Sequence, residues 1–140
     1  MSVYLDASVL VALFTNDSLS GRADKYLKKS VPVLIVGDFA AAEFASAIAR
    51  RVRMRELTRA EAQIAFATFD SWIARAASRA ETRASDISAA AAHIRRLDLP
   101  LRTPDALNIA VAERLGAELA TFDDKMAAAA RALGLAVAGM

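Results

Sequence analysis

The chain has no cysteine and one histidine, His93. Without cysteine there are no disulfides, thiol nucleophiles, iron–sulfur clusters or the usual structural zinc sites, which agrees with a reducing interior. With one imidazole, a Ser/His/Asp triad would have to run through His93, which sits in AAAAHIRRL with no serine in a G-x-S-x-G elbow. Apolar runs are short, and none reaches the roughly 20 residues of a membrane span. The amino terminus, MSVYLDAS, also lacks the basic start and long apolar stretch of a secretory signal, so a cytoplasmic protein is expected.

What is present suffices for one packed core. The 140 residues are 56% hydrophobic, the size and apolar content of a single domain over residues 1–140. The formal charge is only +2, but the positive groups are mostly arginine and they cluster: Arg50, Arg51, Arg53, Arg55 and Arg59, then Arg75, Arg79 and Arg83, then Arg95, Arg96 and Arg102. Guanidinium forks suit phosphates. The four-residue recurrence of Arg75, Arg79 and Arg83 equally suits a solvated helix face.

Short aliphatic runs alternate with longer helical patterns, the signature of a parallel sheet joined by helical crossovers. The strand candidates are Val3 to Leu5, Pro32 to Val36, Glu118 to Phe122 and Ala136 to Ala138. Helices are expected at Ser8 to Phe14, Ser20 to Lys29, Asp38 to Arg53, Thr58 to Ala80, Ser85 to Leu97, Pro104 to Leu115 and Asp124 to Leu133. Asp38, Thr58, Ser85 and Thr103 can act as N-caps, Thr58 with Glu61 fits a capping box, and Gly116 and Gly134 stand where left-handed closing residues are wanted. In such a fold the strands' carboxyl ends share one edge, where ligands bind.

Asp6, Glu43, Asp105 and Asp123 stand where apolar segments end or helices begin. Each has a structural explanation. Asp6 fits an N-cap and Asp105 fits a first-turn partner of the helix dipole. Glu43 is harder to dismiss, because it is the only charged residue from Phe39 to Ala49 and buried acids are rare unless paired or metal-bound. Asp38 is a rival to it in principle, though a cap explains Asp38 more simply. Asn108 shares a helix face with Asp105, and Thr121 shares a strand face with Asp123. Asp124 sits beside Asp123 as a cap candidate, and spacing alone does not choose between them as ligands. Ser8 follows Asp6 closely enough to support the same site.

Together these acids offer hard oxygen donors without imidazole or thiolate, a set suited to Mg²⁺ or Mn²⁺ rather than zinc. Without a cation, gathered carboxylates repel one another and take up protons. A site of this kind activates water for attack on a phosphate and neutralises the charge that builds there, so no side-chain nucleophile is required.

With these residues laid out, the whole chain resembles the PIN-domain family, specifically the VapC-like ribonuclease toxins of bacterial toxin–antitoxin pairs. YLDASVLVALF is similar to the family's opening strand and helix with its first acid, AAEFASAIAR to the segment carrying the glutamate, and TPDALNIAVAERLGAELATFDDKMAAAARALGL to the closing stretch with two further aspartates. The resemblance implies an α/β/α sandwich around a parallel sheet of four to five strands. It implies that Asp6, Glu43, Asp105 and Asp123 form a metal-binding quartet, with Asp123 favoured over Asp124 and with Ser8 and Thr121 in support. Asn108 departs from the pattern, standing where many relatives carry histidine. Also implied are Mg²⁺- or Mn²⁺-dependent endonucleolytic cleavage of transfer or ribosomal RNA, a homodimer, and inhibition by a cognate VapB-like antitoxin. Arg50, Arg51, Arg53 and Arg55 are expected near the groove for RNA or antitoxin.

Two other readings compete. A Mg²⁺-binding phosphoacceptor signalling domain would want an acidic pair at the first strand and an acceptor aspartate near mid-chain, whereas Asp6 is alone there. A non-catalytic RNA- or partner-binding relative would not need all four acids.

Overall fold

The computed structural model describes residues 1–29 and 33–140. In chain order the elements are β1 (Ser2–Leu5), α1 (Ala7–Phe14), α2 (Ser20–Lys29), β2 (Val33–Gly37), α3 (Asp38–Arg53), α4 (Arg59–Ala76), β3 (Ser78–Ala80), α5 (Ala84–Arg95), α6 (Thr103–Arg114), β4 (Glu118–Ala120) and α7 (Asp124–Ala132). The four strands form one parallel sheet in the order β3-β2-β1-β4, flanked by helices in an α/β/α arrangement. Tyr4 of β1 pairs with Ile35 on one side and Leu119 on the other. Val3, Tyr4 and Leu5 are completely buried, as strands covered on both faces must be. Because every pairing is parallel, Asp6, Asp38 and Thr121 all emerge at the same edge of the sheet.

Aromatic side chains lock the first helical layer. Phe14 of α1 lies edge-on to Phe44 of α3 and to Phe69 and Trp72 of α4, with ring centroids 5.4–5.9 Å apart. Such pairs each add about 0.5–1.5 kcal/mol beyond their buried area. They hold α3, the carrier of Glu43, against α1. A second clamp joins α5 to α6. Arg114 grips Asp86 with two bonds, Nε to Oδ1 at 2.7 Å and Nη2 to Oδ2 at 3.0 Å, and the Arg83 amide donates to Oδ2 at 2.8 Å. Asp86 is 2% exposed, and the Arg114 bond holds its carboxyl below the usual aspartate range despite burial. This pair orients α6, which carries Asp105 and Asn108.

Several expected boundaries hold. Thr58 and Glu61 form the reciprocal capping box, and Gly116 and Gly134 take φ of +61° and +86°. Others need correction. The helix expected from Thr58 to Ala80 ends at Ala76, and Ser78–Ala80 pairs instead with β2 as an edge strand. Its Ser-Arg-Ala sequence carries no β-branched signal, and tertiary pairing overrides the helical propensity of the alanines before it. Ala136 to Ala138 makes a single parallel bridge, Leu119 to Val137, rather than a strand. Of the strand expected from Pro32 to Val36, residue 32 lies outside the described residues, and the rest forms β2 with Gly37 added. Asp38, Ser85 and Thr103 are not N-caps: each lies just inside its helix, behind Gly37, Arg83 and Arg102. Asp38 instead pairs with Arg79 at 2.6 Å. No described helix is long and apolar enough to cross a membrane.

Candidate functional site

Asp6 ends β1 and caps α1. Its Oδ1 accepts from the Ser8 hydroxyl at 2.6 Å and from the Val9 amide at 3.2 Å, and its Oδ2 accepts from the Thr121 hydroxyl at 2.6 Å. The two hydroxyls are in turn anchored by backbone: the Phe122 amide donates to Ser8 Oγ at 2.9 Å and the Asp123 amide to Thr121 Oγ1 at 3.0 Å. Asp6 is 5% exposed. That burial raises its pKa above the ordinary aspartate value, against the pull of the Ser8, Thr121 and Val9 bonds.

Glu43 reaches from α3, half-buried, and its Oε1 accepts from Asn108 Nδ2 at 2.6 Å. Burial raises its pKa, the Asn108 bond opposes the rise, and the charges of Asp6 and Asp105 add to it. Asp105 stands in the first turn of α6, where its Oδ2 accepts weakly from the Arg102 amide at 3.4 Å and lies 3.7 Å from Arg102 Nε. Asp123 caps α7 through Oδ1, which accepts from the Lys125 and Met126 amides at 3.0 and 3.1 Å. The cap expected of Asp124 thus belongs to Asp123, and Asp124 lies exposed in the first helical turn.

All four acids line one cleft of about 240 Å³, together with Ser8 and Asn108. They arrive from the end of β1, from α3, from α6 and from the cap of α7. The donors are exclusively oxygen, which fits a hard divalent cation. Among the described residues, however, no three acidic or histidine side chains are posed to hold an ion together as they stand. Each carboxylate is drawn toward its own donor: Asp6 to two hydroxyls, Glu43 to an amide, Asp105 to Arg102 and Asp123 to helix amides.

A larger cleft of about 680 Å³ adjoins the first, and Glu43 and Arg102 line both. Arg50, Arg51 and Arg53 form its basic wall. Arg51 is already committed, to Asp17 at 3.1 Å and to the Thr15 hydroxyl at 3.2 Å. Arg55 is exposed but does not line the cleft.

Two residues at the site are not picked out for it by sequence reasoning. Arg102 belongs to a basic cluster in the sequence, yet it directly precedes α6 and its guanidinium faces Asp105. Tyr4 reads as core, yet its hydroxyl donates to Asn108 Oδ1 at 2.7 Å. Strand alternation, which puts Tyr4 on the same face as Asp6, is the one signal that could find it. Burial, then the charges of Glu43 and Asp6, hold the Tyr4 hydroxyl well above the ordinary tyrosine pKa, so it remains a donor.

A family model for the PIN domain matches residues 3–132. Ribonuclease VapC46 of Mycobacterium tuberculosis is 32% identical over 145 residues, covering 97% of this chain and 95% of that protein. Among solved structures, the fold is similar to Mycobacterium tuberculosis VapC20, described as a sarcin-ricin loop cleaving toxin, with a TM-score of 0.75 and 21% identity over 91% of this chain and 94% of that one. It is also similar to VapBC2 from Rickettsia felis, bound to a DNA fragment from their promoter, with a TM-score of 0.70 and 15% identity over 99% of this chain and 98% of that one. The chain belongs to the PIN-domain family, with VapC proteins among the relatives it resembles.

Proposed function

We propose that this chain is a Mg²⁺-dependent endoribonuclease, with Mn²⁺ as a substitute, and the toxin of a VapBC-type toxin–antitoxin module. One observation carries the reading: carboxylates from four separate elements line a single cleft at the carboxyl edge of a parallel sheet. The name ribonuclease on a 32% identical relative supports RNA as the substrate. When bound, the metal activates water and neutralises charge on the scissile phosphate.

The chain's own residues divide the remaining work. Asp6, Glu43, Asp105 and Asp123 hold the metal. Ser8 and Thr121 fix the two oxygens of Asp6, and Asn108 fixes Glu43. Arg50, Arg53 and Arg102 receive RNA phosphates along the adjoining cleft, or the acidic groups of an antitoxin that competes for it. The substrate is a structured cellular RNA, a transfer RNA or a ribosomal loop. The partner is a cognate VapB-like antitoxin, the working form a homodimer and the site of action the cytoplasm.

The test is cleavage of total cellular RNA by the purified chain with Mg²⁺, with EDTA, and with Asp6→Asn. Cleavage that needs the metal and is lost in a folded Asp6→Asn variant is expected. Cleavage indifferent to EDTA, or full activity in Asp6→Asn, overturns the reading.

A further inference from the structure

We propose that Tyr4 is a positioning residue for Glu43, acting through Asn108, and that Gly37 is required to give its ring room. This rests on the metal-nuclease reading for its consequence but not for its geometry. The Asn108 side chain is buried, with the residue 3% exposed. Its Nδ2 lies 2.6 Å from Glu43 Oε1 and 3.0 Å from the Pro104 carbonyl oxygen, which can only accept, as does Glu43 when ionised. The amide nitrogen must therefore point toward Glu43, which leaves Oδ1 facing the Tyr4 hydroxyl at 2.7 Å, with the phenol as donor.

The direction of every bond in the chain Tyr4–Asn108–Glu43 is thus determined by chemistry. The amide oxygen of Asn108 can only accept, so the phenol gives it its proton. Asn108, held at its oxygen, must present both amide hydrogens to Pro104 and Glu43. Removal of the phenol oxygen leaves a buried carbonyl without this donor and takes away the bond that fixes the amide from behind, so the amide shifts and holds Glu43 less firmly.

The approach is close. A Cβ added at Gly37 would overlap the Tyr4 hydroxyl and come within 3.0–3.1 Å of two ring carbons. Gly37 ends β2, and its backbone φ is ordinary (−70°), so space rather than conformation demands glycine there. Tyr4 thereby touches the end of β2, α6 and, through Asn108, α3. A hydroxyl that merely satisfied a buried amide would affect stability alone. One that orients Glu43 also affects how the acid meets a cation, as groups behind metal ligands commonly do, by about 10–100-fold in affinity.

The experiment uses the full chain with Tyr4→Phe and Gly37→Ala, each alone and in an Asn108→Ala background. Two readouts are taken: the Asn108 side-chain amide and Glu43 side-chain carboxylate resonances by NMR without metal at fixed pH, and the Mn²⁺ dissociation constant by calorimetry. Tyr4→Phe is expected to move both sets of resonances and weaken Mn²⁺ about 10-fold, with cleavage largely rescued at saturating Mn²⁺. Gly37→Ala is expected to act in the same direction, and Tyr4→Phe to add nothing once Asn108 is alanine. Unmoved Glu43 resonances in Tyr4→Phe, or a loss of thermal stability with unchanged Mn²⁺ affinity, overturns the proposal. If the parent chain binds no Mn²⁺ and cuts no RNA, the nuclease reading fails instead, and the resonances still decide the Tyr4–Asn108–Glu43 link.

Discussion

The Thr121 hydroxyl donates to Oδ2 of Asp6 at 2.6 Å, tying the end of β4 to the end of β1 across 115 positions of sequence. The hydroxyl oxygen also accepts from the Asp123 amide at 3.0 Å, so one threonine sets the orientation of one acid and the backbone of another. Thr121 is 7% exposed, and water cannot easily replace it.

Thr121→Val keeps the side chain's shape and removes both bonds. The variant is expected to lose about 1–3 kcal/mol of stability, the cost of leaving buried polar partners unsatisfied, as read by urea unfolding. Its cleavage is expected to fall with it, through weaker metal affinity and recoverable at high Mg²⁺. Unchanged metal dependence would restrict Thr121 to a structural role.

Glu43→Gln tests the electrostatics of the cleft. Glu43 has its pKa raised by burial and by the charges of Asp6 and Asp105. A raised acid opposes folding when ionised: the penalty is full above its folded pKa and disappears as pH falls through that value to below its unfolded pKa, about 4.3. In metal-free buffer at neutral pH, Glu43→Gln is therefore expected to melt above the parent chain, with the difference closing as pH falls toward about 4. Added Mg²⁺ is expected to raise the melting point of the parent more than that of the variant, since a ligand bound only by the folded state stabilises it. A variant less stable than the parent at neutral pH would contradict this.

Arg114→Met breaks the clamp between α5 and α6. Asp86 would stay buried with only the Arg83 amide, so a loss near the lower end of about 3–5 kcal/mol is expected at neutral pH. The sign with pH follows from the lowered pKa of Asp86. Its contribution is present above the unfolded value of about 3.9 and is lost as pH falls through the lower folded value. Stability curves of parent and variant should therefore converge in acid; parallel curves would mean that the Asp86 charge is not what Arg114 stabilises.

The arginine wall separates into two roles. Arg51→Ala removes a partly exposed ion pair with Asp17 and is expected to cost at most about 1 kcal/mol, with little change in RNA binding. Arg50→Ala and Arg53→Ala are expected to weaken RNA binding across sequences and to lower the slope of log affinity against log salt by about 1 for each phosphate left without its arginine. Equal effects from Arg51 and Arg53 would remove this distinction.

Much of the architecture is legible in the sequence because local rules and tertiary packing agree. The capping box at Thr58, the glycines at 116 and 134 and the apolar β1 and β2 all express backbone or burial requirements that act within a few residues. β3 is illegible for the opposite reason. Ser78–Ala80 has no strand character of its own, and only the open edge of β2 makes it one. The caps expected at Asp38, Ser85 and Thr103 are displaced because each helix starts one or two residues earlier than its polar residue suggests, with Gly37, Arg83 and Arg102 at the cap and no side-chain cap bond there. Asp38 goes to Arg79, a partner 41 positions away.

The sequence by itself supplied the candidate donors: four carboxylates, two hydroxyls and an amide, with no cysteine and one histidine, a set that suits a hard cation. It also determined that Asp6 would follow directly on β1, since alternation and burial are properties of a few consecutive residues; Asp123, expected directly after a strand ending at Phe122, lies instead three residues beyond β4 as the cap of α7. Only the tertiary structure decided that Thr121 holds Asp6 and Asn108 holds Glu43, that Tyr4 reaches Asn108 past Gly37, and that Arg51 is committed to Asp17 while Arg50 and Arg53 face the cleft. The hydrogen-bonded pairs among those relations are separated by 34 to 115 positions. They depend on close packing, where a single Cβ or one hydroxyl changes which partner is within reach.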